Sequence, residues 1–415
     1  MPNPTTYSSS RQYIGWAVET TQGTAISAPT VTVPVEKFDP FDQPTWIDDK
    51  SLRGSMVELY GVVQGVKHTE TDFSGPAYFD TFPYLLSNIL GDIVYSGTYT
   101  GSGTTTLAAA AAVGATQVTT AASIASSTLI QIDTGTLSEV RLTTGVSGAG
   151  PYVLTFANPL VNAHANTTTV VKPITTPYIS TFSTLNSGQG QPSSLTLFDY
   201  QGPTASTGTR AYPGQCLSEL TIKGTIESSG VDYTAKTMGW PSASATAFTS
   251  SPSTVTLQPS WETQVGLAGT VSGAPILTVN EYEVSIKREL EMIYTAQNSQ
   301  NPYYIQRGKV TCSGRLNAVV NNETFLTYLN SNTQPQLQLI ISNGLSGASL
   351  LSMQIDVNAA AFRDSKIQRG KAAVEYTANW DGISNTTNAG TSGGFSPISI
   401  VMQNAISATP GPGPF

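Results

Sequence analysis

Two stretches of this chain repeat the same spacing of aromatic residues and glycine, which limits the fold more than any other feature. Gly65 precedes Phe82 by the distance that separates Gly308 from Phe325, and Tyr60 stands to Phe82 as Tyr303 stands to Phe325. Further on, Leu220-Thr221-Ile222-Lys223-Gly224 leads to Asp232-Tyr233-Thr234-Ala235 and Trp240. Ile367-Gln368-Arg369-Gly370-Lys371 leads likewise to Glu375-Tyr376-Thr377-Ala378 and Trp380. Two halves that share strand, long loop, strand, helix and later strands imply an internal duplication.

Strand patterns dominate both halves. Val374, Tyr376, Ala378 and Trp380 alternate with polar residues, as do Leu351, Met353, Ile355 and Val357. A period of two places one face on a core and the other outside, the pattern of sandwiches and barrels. Only two segments read as helices. Asp80 to Leu90 has Asp80 as its N-cap, Pro83 in the first turn and Gly91 as its stop; Asn322 to Leu329 is the second.

The halves differ after their helices. Leu337-Gln338-Leu339-Ile340-Ile341 follows the second helix almost at once, whereas its expected counterpart, Leu195-Thr196-Leu197-Phe198, comes far later. Part of that gap is rich in Ala, Thr, Ser, Gly and Val, with strand patterns at Leu129–Ile132, Glu139–Leu142 and Tyr152–Phe156. It reads as a small inserted β module, because exposed loops tolerate insertions. The expected division is residues 1–94 with 173–250 for the first domain, 95–172 for the module, 251–408 for the second domain, and 409–415 as a disordered Pro/Gly tail.

Composition narrows the function. Only 11% of residues are charged and the net charge is −8, against about 25% charged in an average soluble domain. Little charge on a soluble pattern suggests a surface covered by neighbours in an assembly, although a secreted Thr/Ser-rich adhesin shares it. No basic cluster suited to holding DNA phosphates occurs. Cys216 and Cys312 lack metal-ligand spacing and read as free buried thiols of a protein made in a reducing cytoplasm. The start of the chain has no signal-peptide pattern, and no apolar run is long enough to span a membrane. Asp133-Thr134-Gly135-Thr136 matches the aspartic protease string. Such enzymes need two carboxylates sharing a proton, no second copy exists, and a polar turn accounts for the residues. No catalytic, metal or cofactor residues are expected.

The motifs carry a family resemblance. Gly15-Trp16-Ala17-Val18-Glu19-Thr20-Thr21-Gln22-Gly23-Thr24 with Val33-Pro34-Val35-Glu36-Lys37-Phe38, Leu52-Arg53-Gly54-Ser55-Met56, Gln300-Asn301-Pro302-Tyr303 and Arg369-Gly370-Lys371-Ala372-Ala373 resemble tail tube proteins of long-tailed (siphovirus-type) phages infecting actinobacteria. The resemblance covers nearly the whole chain outside the module and carries no site chemistry. It implies a mainly β protein with two tandem tail-tube-type β-sandwich or barrel domains, each flanked by one short helix. It further implies six-fold rings stacked into a DNA conduit in the virion tail. With two domains per chain, three chains would complete a pseudo-hexameric ring, the alternative being six chains with the second domain outside. The implied partners are other copies of the chain, a tape measure protein, a tail terminator and distal tail proteins, with DNA only in transit.

Two groups of residues follow as candidates. Glu70, Asp72, Glu281 and Glu283 lie on strand faces with little apolar character and would repel DNA phosphates from a lumen. Trp46, Leu52, Arg53, Met56, Tyr60, Met292, Tyr294 and Tyr303 sit in the two long segments expected to reach neighbouring subunits.

Overall fold

The computed structural model describes residues 11–404 except 99–102, 127, 134–136, 138, 157–158, 161, 174, 202–207, 228–229, 251–252, 254, 346–349 and 370–372. The Pro/Gly tail and the Thr134-Gly135-Thr136 part of the protease-like string lie outside the described residues. Strands are numbered in chain order.

One antiparallel sheet runs through both halves in the order β3 (Lys37–Asp49), β4 (Gly61–Pro76), β15 (Asp232–Gly239), β14 (Thr209–Thr225), β18 (Val279–Ile293), β19 (Tyr304–Val319), β23 (Glu375–Gly382) and β22 (Ala360–Gln368). The order of the first four strands repeats in the second four. Each set starts with a long hairpin, β3–β4 or β18–β19, and ends on the strand that follows the repeat's other sheet.

Register makes the duplication exact to the residue. Phe73 of β4 pairs with Ala235, and Leu316 of β19 pairs with Ala378 at the same step. In β14 and β15 the register slips at Ser218, between Leu217 and Glu219; in β22 and β23 it slips at Arg363, between Phe362 and Asp364. The long hairpins slip together too, at Thr45 and at Glu289. The extra residue lies on the other strand, where Gly65 and Val66 oppose Thr45 and Gly308 and Lys309 oppose Glu289. A Cβ on Gly65 would meet Thr45 Oγ1 at 2.5 Å, and one on Gly308 would meet Glu289 Oε2 at 2.8 Å, so a larger residue at either place would have to displace that side chain. The pairing revises two expected matches. Ile222, not Leu220, takes the place of Ile367, and Thr237, not Trp240, that of Trp380.

Both helices are present, slightly displaced. α1 spans Phe82–Ile89 with Thr81 as its N-cap, since the Asp80 carboxyl is buried in hydrogen bonds with Ser253 and its own turn. Gly91, at φ +89°, follows its end. α2 spans Thr324–Ser331; Asn322 Oδ1 accepts from the Thr324 N–H, and left-handed Asn332 stops the helix. Phe82 meets Tyr233 edge-on at 5.6 Å, and Phe325 meets Tyr376 at 6.2 Å in the other repeat.

A second sheet lies across the first, in the order β17 (Gln264–Leu267), β20 (Leu337–Ser342), β21 (Ser352–Val357), β24 (Ser399–Asn404), β12 (Thr175–Thr184) and β5 (Gly91–Thr98). It corrects one expected pairing of the halves. The strand after α1 is β5, whose partner β12 flanks β24 just as β21 does. The hairpin β5–β12 thus matches β20–β21. Leu195–Tyr200 is a separate strand, β13, joined to β14, β1 (Tyr13–Val18) and β2 (Val31–Val33), with β16 (Ala243–Ser244) on the far edge of β14.

Between β5 and β12 the chain forms a six-stranded sheet of its own. Its order is β6 (Thr105–Thr106), β11 (Val170–Pro173), β8 (Leu129–Ile132), β9 (Glu139–Ser147), β10 (Tyr152–Phe156) and β7 (Gln117–Thr120). A separate cluster around Leu107, Ile130, Ile132, Leu154, Phe156 and Val171 fills it. The main core joins both repeats, from Trp16 and Phe82 to Tyr282, Trp380 and Met402. At about 25 cal/mol per Å², an aromatic burying roughly 200 Å² contributes about 5 kcal/mol. The two halves therefore share one core.

Candidate assembly surface

The long sheet has one apolar and one charged face. On β18, Tyr282, Val284 and Ile286 point into the core, leaving Glu281, Glu283 and Lys287 outside. The same alternation turns out Glu70 and Asp72 on β4 and Glu375 and Asp381 on β23. The four expected acids thus share one face, the β4 pair separated from the β18 pair by β15 and β14. They are not isolated charges. Arg315 Nη2 sits 2.8 Å from Glu281 Oε1 and 3.6 Å from Glu283 Oε2. His68 is 3.5 Å from Glu70, and Gln43 donates to Glu70 at 2.8 Å. In the middle, Glu219 accepts from both Lys236 and Lys287 at 3.1 Å. Partial burial pushes the Glu219 carboxyl up, but those two lysines hold it below the ordinary range. A chain poor in charge has gathered much of it on this face.

The two edges of the sheet are complementary by descent. Within the chain, the last strand of repeat one pairs with the first strand of repeat two: Glu219 faces Lys287, Leu220 faces Ile286 and Thr225 faces Glu281. The corresponding last strand of repeat two, β22, pairs only with β23 among the described residues. The first strand of repeat one, β3, pairs only with β4. Each chain therefore ends in the two halves of a joint that it makes once internally.

The long hairpins differ sharply in exposure. On β3–β4, Trp46 and Ile47 are 61% and 60% exposed, and Leu52 and Met56 at the tip are fully exposed. Arg53 pairs with Asp49 and lies over the Tyr60 ring at 4.8 Å. The β18–β19 hairpin is docked on repeat one. Leu290 and Met292 pack with Ile305 against Cys216 and Trp240, Tyr294 rests its hydroxyl on the Met292 sulfur, and Tyr303 stays exposed. Its tip also crosses the other hairpin, the Lys67 N–H donating to Gln300 O at 3.0 Å.

Sequence reasoning missed the two buried arginines that anchor this docking. Arg288 Nη1 donates to Ile89 O and Nη2 to Gly190 O; Arg307 donates to Asn88 O, Ser193 O and Cys216 Sγ. They occupy the carbonyls at the end of α1, where a helix is short of partners and favours positive charge. Burial, and then the neighbouring Arg307, depress Arg288 to about 10. The visible signal was phase: Arg288 continues the inward series Tyr282, Val284, Ile286.

Cys216 and Cys312 are free and buried. In the module, Asp133 of the protease-like string faces the buried His164 at 3.2 Å. No group of three His, Cys, Asp or Glu side chains among the described residues is placed to hold a metal. No helix among them is long and apolar enough to cross a membrane.

No curated protein sequence matches the chain significantly. The family model for phage tail tube proteins matches residues 9–382, from before β1 to the end of β23. The chain belongs to the phage tail tube protein family, a structural component of the virion tail.

Proposed function

We propose that three copies of this chain close into a pseudo-hexameric ring, and that rings stack into the tail tube through which DNA reaches the host. The observation that carries the reading is the internal β14–β18 joint, whose two halves recur on the free edges β22 and β3. Repeating its register sets Asp364 opposite Gln43, Ser365 opposite Asp42 and Ile367 opposite Pro40 of the next copy. Closure leaves no exposed edge.

Barrel geometry favours three copies. With eight strands per chain spaced about 4.8 Å and tilted about 40°, three copies give a backbone diameter of about 48 Å. Two copies give about 32 Å, which inward side chains narrow to barely a duplex. Six chains with the second repeat outside would break the sheet that the repeats share. The core lies on one face of the sheet, so the charged face lines the lumen. Its excess of carboxylates, including Glu70, Asp72, Glu281 and Glu283, keeps phosphates from adhering during passage. The motif resemblance supports a siphovirus-type phage of actinobacteria, with tape measure, terminator and distal tail proteins as partners and synthesis in the host cytoplasm. Nothing in the fold favours the adhesin alternative.

Negative-stain microscopy with mass measurement of the purified chain tests this. Rings or tubes built in multiples of three chains are expected. Six-chain rings would overturn the stoichiometry, and a chain that stays monomeric at every concentration would overturn self-assembly.

A further inference from the structure

α1 and α2 are copies of one helix in unequal surroundings. Every residue of Phe82–Ile89 is buried, whereas Phe325 alone is buried in Thr324–Ser331. Their first packing layer is the same, a phenylalanine against the tyrosine of the next strand pair. The second layer differs. Over α1 lies the β18–β19 hairpin, with Arg288 and Arg307 on the helix-end carbonyls and Leu290 and Met292 beside them. Among the described residues nothing equivalent lies over α2, and Ser331, Asn332, Thr333 and Gln334 at its end are exposed.

The register names the missing cover. Trp46 pairs with Gln64 at the step where Leu290 pairs with Arg307, so Trp46 stands for Leu290 and Gln64 for Arg307. Both are exposed, on a hairpin whose apolar residues face solvent. We propose that the β3–β4 hairpin of one copy covers α2 of the next, as β18–β19 covers α1 within the chain. The proposal rests on the ring reading, since pairing β3 with the neighbour's β22 is what carries the hairpin to α2. Trp46 then packs beside the helix end, and the Gln64 amide donates to its last carbonyls.

The test uses the full-length chain, with assembly followed by light scattering and microscopy, and α2 by hydrogen exchange. Trp46→Ser should raise the concentration for half-assembly by about 30-fold, as loss of an interface anchor does. Gln64→Glu, which sets a negative charge at a helix C-terminus, should raise it about two- to fivefold. Unassembled, both variants should melt with the wild type, because both side chains are exposed. The amides of α2 should become protected on wild-type assembly. Wild-type tubes with neutral variants and an α2 that still exchanges freely would overturn the hairpin contact alone. A wild type that never assembles would overturn the ring reading with it.

Discussion

Replacing Arg307 with Met keeps the apolar stem and removes the charged head that bonds Asn88 O, Ser193 O and the Cys216 sulfur. The buried Asn88 O loses its donor, at about 1–3 kcal/mol, whereas Ser193 O keeps the Asn88 side-chain amide. Two effects work the other way. The guanidinium no longer needs to be desolvated, and Arg288 loses a like-charged neighbour. Arg288 is depressed from 12.5 to about 10, with burial the larger cause and Arg307 the second. Arg307 accounts for the smaller part of that depression. The expected net loss is about 1–3 kcal/mol, read by urea unfolding of the unassembled chain with tryptophan fluorescence. Hydrogen exchange should quicken at the last turn of α1. Arg288→Met should behave alike, and the double variant should lose more than the sum, because the repulsion is relieved only once. A loss below about 1 kcal/mol, or a double variant milder than the sum, would refute a repelling pair that caps the helix.

Two further outcomes follow from burial. Tyr282 is pushed up to about 12 by burial, and Tyr84, Tyr212 and Tyr233 further still. The unfolded chain therefore loses these protons first, and the tyrosines' contribution, full below pH 10, should fall between pH 10 and 12 by about 1.4 kcal/mol per unit for each; Cys312, raised by burial from 9.0, starts the same loss from about pH 9. Arg288 opposes this, and a folded chain whose tyrosinate absorbance reaches the unfolded chain's full amplitude by about pH 11 would contradict the burial argument. Phe82→Ala should cost about 5 kcal/mol and Phe325→Ala about 3 in the unassembled chain, since only the first lies under a second layer; equal urea midpoints would show that the layer adds nothing.

Local periodicity made much of this legible. Alternation marked the strands, and because a period of two puts Glu281 and Glu283 on one face, the charged face could be anticipated residue by residue. Aromatic and glycine spacing revealed the duplication because Gly65 and Gly308 take the same place in the bulges of the two long hairpins. What escaped depends on pairing between distant strands. Nothing local in Leu220-Thr221-Ile222 says that it will face Val284-Ser285-Ile286. The pairing of Arg315 with both glutamates likewise needs β19 beside β18. The strand β5 was overlooked because its short apolar run, Ile93-Val94-Tyr95, is held by β12 across the whole inserted module.

The two joints differ as a permanent and a repeatedly formed contact should. Inside the chain the joint carries two buried arginines, whose desolvation costs several kcal/mol each and is met once, during folding. In the proposed ring the same positions hold Pro44 and Gln64, neither charged, so joining chains would require no stripping of water from a guanidinium. The free edge shows the same logic. β3 carries Pro40 and Pro44 where the internal strand has Val284 and Arg288, and proline in an edge strand removes donors that any stray strand could use. An unassembled chain is thereby guarded against mispairing, and the hydrophobic hairpin beside that edge supplies attraction once the correct neighbour, with its half-covered α2, is in register. On the ring reading, divergence after duplication has left one joint suited to a single folding event and the other to selective addition of further copies.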